Sequence, residues 1–149
     1  MADLKDKIVL VTGAAGAIGA AVTAAVKRAG GVAMATDLAG RAGIDAALDV
    51  TAEADWQRVT AEVERQHGRL DGLVNAAGIV ALGSVEQLDF ATWRRVLGVN
   101  LDGAFLGCKY SFPLLRKKGG SIVNLSWCRV WSAGIISPPT MPRRADCRC

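Results

Sequence analysis

Apolar runs of four or five residues, each closed by glycine or a small polar residue, alternate along the chain with longer segments of helical period. Ile8–Val11 is the first run, and the stretch Gly13-Ala14-Ala15-Gly16 breaks it. From Ala17 to Ala29 the pattern turns helical and alanine-rich, as close packing on a sheet requires, and Gly30-Gly31 ends it. Val32–Thr36 predicts a second strand closed by Asp37, with Gly40 and Gly43 punctuating the loop beyond. Ala46–Val50 predicts a third strand with Asp49 near its end, and Thr51 is placed to cap a helix reaching about His67. Leu70–Val74 predicts a fourth strand that runs into the small residues Asn75-Ala76-Ala77-Gly78. Asp89 is expected to cap a long helix, about Phe90 to Lys117, with Asn100 in its first half and Pro113 kinking it near its end. Ser121–Leu125 predicts a fifth strand.

Alternating strands and helices imply an α/β fold, a Rossmann-like doubly wound parallel sheet with helices on both faces. Right-handed crossovers then gather the carboxyl ends of the strands on one edge, where ligands bind. Residues 1–126 form one such domain.

The turn between the first strand and first helix is where chemistry enters. A strand feeding a glycine turn into a helix makes a phosphate cradle, because glycines let the backbone approach an anion and the helix start offers unpaired N–H groups. Asp37 sharpens this reading, lying 18 residues beyond Gly19 at the end of the next strand. A carboxylate there can accept both ribose hydroxyls of an adenosine and would repel a 2′-phosphate, which favours NAD over NADP. The plainer alternatives are that the glycines serve packing and that Asp37 is a turn residue.

Charge changes the picture less than its total suggests. The net charge is +4, but residues 1–126 carry 14 basic and 13 acidic side chains. The excess lies in residues 127–149, in Arg129, Arg143, Arg144 and Arg148 against Asp146, so no nucleic-acid face is implied. Arg116-Lys117-Lys118 suits a helix C-terminus. No apolar run approaches a membrane span and the first residues lack a signal-peptide layout, so the expected setting is the cytoplasm, with no membrane partner. The lone histidine, His67, sits beside Gly68 where a helix should end. Cys147-x-Cys149 lacks the spacing and partners of a zinc site, so no metal is expected.

Taken together, Thr12-Gly13-x-x-x-Ala17-Ile18-Gly19, Asp37, Asp49-Val50, Asn75-Ala76-Ala77-Gly78 and Asn100 resemble the short-chain dehydrogenase/reductase family over about residues 5–126. The resemblance implies that Gly13, Ala15, Gly16, Ala17, Ile18 and Gly19 hold the pyrophosphate of NAD and that Asp37 holds the adenosine ribose. It implies that Asp49 and Val50 border the adenine, and that Asn75, Ala76, Ala77 and Gly78 support the sheet and the nicotinamide ribose. It gives Asn100 a catalytic part, kinking its helix and helping to hold a proton-relay water. Ala17 departs from the family, standing where a second glycine is usual. The implied activity is hydride transfer between nicotinamide and a small-molecule secondary alcohol or ketone, in a parent that is a homo-oligomer.

That chemistry requires a tyrosine acid/base in a Tyr-x-x-x-Lys pair after strand five, and a serine about thirteen residues before the tyrosine. The serine is normally the second of two after a strand like Ser121–Leu125. Here Ser126 is the first, and Trp127 occupies the second place. The only tyrosine, Tyr110, is followed four residues later by Leu114. The family's catalytic tyrosine and lysine are therefore missing, and its sixth and seventh strands have no counterpart after the fifth.

From Trp127 the composition shifts: three of four cysteines, three of four prolines and two of four tryptophans fall in 23 residues. A reading-frame slip would account for this, its rival being a genuinely divergent tail. Regrouping the last base of each codon with the first two of the next forces valine at Trp127/Cys128, alanine at Met141/Pro142 and leucine at Asp146/Cys147. Allowed codon choices elsewhere give a tyrosine across Pro139/Thr140 and a lysine across Arg143/Arg144, four apart. A check free of such choices points the same way. In the regrouped frame the second base of each tail codon becomes a wobble base, and 18 of 23 tail residues require G or C there, against 61 of 126 before. The segment 127–149 is accordingly expected to be an aberrant basic tail without order. The alternatives are an NAD-binding form without catalysis and a protein-interaction module with a basic tail.

Overall fold

The computed structural model describes residues 3–126, so the expectations about the tail lie outside the described residues. Strand β1, Ile8–Thr12, is buried along its whole length and is the centre of the sheet. It pairs in parallel with β2 (Val32–Asp37) on one side and β4 (Gly72–Asn75) on the other. β3 (Ala46–Ala47) joins outside β2 and β5 (Ser121–Asn124) outside β4, giving the parallel order β3-β2-β1-β4-β5.

Alternation along β1 divides the core. Ile8 and Leu10 point to one face, where they meet Trp56, Val59 and Val63 of helix α2 (Glu53–His67) and Leu106, Leu114 and Leu115 of α4 (Gly103–Leu115). Val9 and Val11 point to the other face, against Ala33, Ala35 and Val26, the last from helix α1 (Ala17–Arg28). Burying runs of valine, leucine and alanine on both faces is what an all-parallel sheet demands.

Four expectations need correction. β3 stops at Ala47 instead of Val50, because the chain turns at Asp49, whose Oδ1 accepts both the amide and the hydroxyl of Thr51 at 2.9 and 2.7 Å. Thr51 therefore does not cap α2. Ala52 occupies the cap position without a side-chain bond, and Asp55 reaches back to accept the Asp49 N–H at 2.8 Å. β4 begins at Gly72, not Leu70. The long helix is a rod in three parts: α3 (Phe90–Leu97), a π-helical turn (Gly98–Asp102) and α4. The Asp89 carboxylate caps its start, accepting the Thr92 N–H at 2.7 Å, which holds the Asp89 carboxyl below its ordinary range. Pro113 sits in its last turn.

The carboxylate of Asp71 fastens the lower ends of the strands. It accepts the Ile8 N–H at 3.0 Å, Arg69 Nε at 3.0 Å and Lys7 Nζ at 3.2 Å. Burial alone pushes this carboxyl up, but the Ile8 N–H, Arg69 and Lys7 outweigh it and hold the group below its ordinary value.

Candidate functional site

The upper ends of the strands open into a cleft of about 900 Å³. Its floor is the turn after β1, and it exists because that turn holds only glycine and alanine. Gly13 has φ +65°, and a Cβ on it would lie 2.7 Å from the Ala77 Cα. A methyl on Gly19 would collide with the Gly13 carbonyl, so α1 can start this close to the turn only with glycine at 19.

Helix α1 meets the cleft with its N-terminus electrically open. Gly16 is its N-cap, no side chain caps it, and its first turn holds no acidic residue. The first N–H groups of the helix are thus left to a ligand, and a partial positive charge faces the opening. Of the residues assigned to the cradle, Gly13, Ala15 and Gly16 line the cleft, whereas Ala17, Ile18 and Gly19 do not. Gly19 is buried beneath the turn, while Ala17 and Ile18 are exposed.

Asp37 sits on the cleft wall at the end of β2. Its Oδ2 accepts the Ala15 N–H at 3.0 Å and its Oδ1 the Leu38 N–H at 2.8 Å, so the carboxylate is held against the glycine turn. Each oxygen keeps a lone pair for a hydroxyl donor. Asp49 and Val50 line the same end of the cleft, Asp49 with one oxygen taken by the Thr51 turn.

The opposite wall is organised by hydrogen bonds that run between elements. Thr12 Oγ1 accepts the N–H groups of Ala76 and Ala77, both at 3.1 Å, tying the end of β1 to the turn after β4. Asn75 is buried and donates to Asn124 Oδ1 at 2.8 Å, joining the ends of β4 and β5. Asn100, on the π-helical turn, pairs its side-chain amide with the backbone of Ile79: Oδ1 accepts its N–H and Nδ2 donates to its carbonyl, both at 2.9 Å. A π turn widens the helix by one residue and turns this side chain toward the loop. Gly78 lies beside it, 3.4 Å from Asn100 Oδ1 to a Cβ placed there.

Apart from Ala17, Ile18 and Gly19, the sequence-predicted residues fall into three groups. Asp37, Asp49, Val50, Ala76, Ala77 and Gly78 converge on the cleft with Gly13, Ala15 and Gly16. Asn75 and Asn100 brace its wall from behind. Ser126 is exposed, two residues past β5. Tyr110 does not serve the site: its hydroxyl donates to Glu53 at 3.1 Å, on the outer side of α2 and α4. Lys109, 3.0 Å from the same carboxylate, and Tyr110 hold Glu53 below its ordinary range.

Sequence reasoning missed Arg41, Arg94 and Arg95, which line the cleft and make no ion pair among the described residues. It also missed Gly103 and Gly107. Their spacing of four on one helix face was the available signal. A Cβ on Gly103 would lie 2.8 Å from Val50 Cγ2, and one on Gly107 would lie 2.6 Å from Asn75 Oδ1. These glycines let α4 close on both ends of the cleft.

The profile of a family described as enoyl-(acyl carrier protein) reductase matches residues 13–134. The chain belongs to the short-chain dehydrogenase/reductase family. A family member from Comamonas testosteroni, 3-beta-hydroxysteroid dehydrogenase, is 33% identical over 139 residues, covering 86% of this chain and 55% of that protein. The 2-(S)-hydroxypropyl-CoM dehydrogenase 3 of Xanthobacter autotrophicus is 35% identical over 153 residues, covering 93% of this chain and 58% of that protein. Among solved structures, the ligand-free aldohexose dehydrogenase of Thermoplasma acidophilum superposes with a TM-score of 0.70 at 33% identity, covering 80% of this chain and 48% of that one. The chain spans about half the length of the relatives it matches. Their family membership accounts for the parallel five-stranded sheet and for the motifs that converge on the cleft. No helix among the described residues is long and apolar enough to cross a membrane.

Proposed function

We propose that the cleft is the adenosine and pyrophosphate seat of NAD, in a chain descended from an NAD-dependent dehydrogenase of small secondary alcohols or ketones. The observation that carries this is the uncapped, acid-free start of α1 beside a carboxylate bound to the same turn, Asp37 on Ala15 N. The residues present fit the dinucleotide: the glycine floor leaves room for a pyrophosphate, α1 offers it N–H groups, and Asp37 offers acceptors to two ribose hydroxyls. Arg41, Arg94 and Arg95 add positive charge around an anionic ligand. When bound, the nicotinamide supplies or takes up the hydride. The role of this chain's residues is to bind and orient, with Asn75 and Asn100 keeping the wall of the nicotinamide end in place.

The 149-residue chain is itself a binding form without turnover. Tyr110 is bonded to Glu53 away from the cleft, and Trp127 stands where the serine belongs, so no residue is assigned to move the substrate proton. The segment 127–149 is read as the product of a frame slip that removed the Ser, Tyr and Lys. The parent enzyme is a homo-oligomer. One exposed stripe along the rod, Phe90, Trp93, Leu101, Phe105 and Phe112, supports that, because such a face on a long helix suits a second copy.

Titrating the chain with NAD and NADP tests this reading. NAD should bind more tightly than NADP, and Asp37→Ala should abolish the preference. An equal affinity for both in the unaltered chain refutes the role given to Asp37, and no binding of either refutes the reading.

A further inference from the structure

Trp56 is the largest fully buried side chain among the described residues, and nothing in the cofactor reading uses it. Its Nε1–H donates to the carbonyl of Val50 at 2.9 Å. No other donor reaches that carbonyl among the described residues. The Val50 side chain lies in the notch left by Gly103, where a Cβ would come within 2.8 Å of its Cγ2 and 3.3 Å of its carbonyl oxygen. The indole ring in turn lies in the notch left by Gly107, where a Cβ would stand 2.9 Å from its Cη2. The Asp49–Thr51 turn belongs to no strand or helix, yet it forms one end of the cleft. Besides the Asp55 carboxylate that holds its Asp49 N–H, the turn is held from below by one indole and from the side by the notch of one glycine of α4.

We propose that Trp56 is a positioning residue for the adenosine end of the cleft, acting through Val50. The inference rests on the NAD reading and adds how the adenine wall is kept at its height. A leucine or phenylalanine would fill the same core volume, but neither could donate to a buried carbonyl at the point where β3 has already ended. The bond replaces the sheet partner that Val50 would have had if β3 continued. Losing it leaves the carbonyl unpaired and frees the turn to drop toward Gly103 or swing into the cleft.

The test compares the full chain with Trp56→Phe, which keeps a ring and removes the donor, and with Val63→Ala, which damages the same core two helical turns beyond it without touching the Asp49–Thr51 segment. Adenosine monophosphate and NAD are the probes. Trp56→Phe should weaken both by about tenfold and to the same extent, since both share the adenosine end. Val63→Ala should lower the melting temperature while leaving both affinities unchanged. Unchanged binding by Trp56→Phe, or an equal loss in Val63→Ala, overturns the proposal. Should Trp56→Phe not fold, the unaltered chain still decides. The indole N–H resonance of Trp56 should shift on saturation with adenosine monophosphate, and an unmoved resonance overturns the proposal. If the unaltered chain binds neither nucleotide, the cofactor reading itself falls before any variant is made.

Discussion

β1 and β5 are both short apolar strands with parallel partners, yet they sit in opposite environments. β1 has a strand on each side and helices over both faces, and every residue in it is buried. Among the described residues β5 has a partner on one side only. Ser121 and Leu125 turn their N–H groups to Asp71 and Asn75 of the β4 side, so by alternation the backbone groups of Ile122 and Asn124 face outward. On the face shared with α1, Val123 and Leu125 remain 48% and 44% exposed, because α1 covers β1 and β2 and no helix among the described residues covers β5 there. Among the described residues, the cleft end beside β1 and β2 is therefore enclosed by strands and helices, while the end beside β5 has a strand neighbour on one side only.

The most direct challenge to this contrast is to give β5 a second neighbour. Under the proposed frame slip, restoring the reading frame after Ser126 should bring back the serine, tyrosine and lysine. A positioned acid/base contributes roughly 10²–10⁴-fold in rate, so NADH formation from secondary alcohols should rise from background to a measurable rate. If the 149-residue chain already turns over like an intact relative, the contrast between the two halves is wrong.

The next largest effect lies on the closed side. Gly19→Ala drives a methyl into the Gly13 carbonyl, and overpacking of this kind costs on the order of 3 kcal/mol. Chemical denaturation should show that loss, with NAD binding lost alongside.

Asp71→Asn probes the clamp that joins both halves at their lower ends. It leaves Arg69 and Lys7 without their carboxylate and should cost about 2 kcal/mol, discounted because Lys7 is half exposed. The same group sets an acid limit. Its folded value lies below the ordinary 3.8, so its contribution is complete above that pH and fades as the pH falls through the folded value. The melting temperature of the unaltered chain should drop more steeply below that pH than that of Asp71→Asn.

The smallest effect is expected on the open side. Val123→Lys should change stability by no more than about 0.5 kcal/mol, since its side chain is already half exposed. It should raise solubility by blunting a bare strand edge, and light scattering during concentration would measure this. A large loss of stability instead would mean that Val123 is covered after all.

The strands and the glycine turn were legible because each rests on short-range chemistry. Ile8–Thr12 needs only its own apolar run, Gly13 its positive φ, and Asp89 its own helix start. The third strand was overextended because Leu48–Val50 is apolar enough to continue it, and only the capture of Thr51 by Asp49 turns it away. Likewise, nothing in the composition around Trp56 announced an indole bonded to Val50.

The order of amino acids was thus enough to settle the alternation of strands and helices, the glycine turn and the acid beyond it. These depend on backbone conformation and on neighbours a few residues away. Folding in three dimensions settled which of those residues share a cleft and how Gly103 and Gly107 admit Val50, Trp56 and Asn75. Those outcomes depend on contacts between residues far apart in the chain, such as Thr12 with Ala77 and Asn75 with Asn124, which no local pattern encodes.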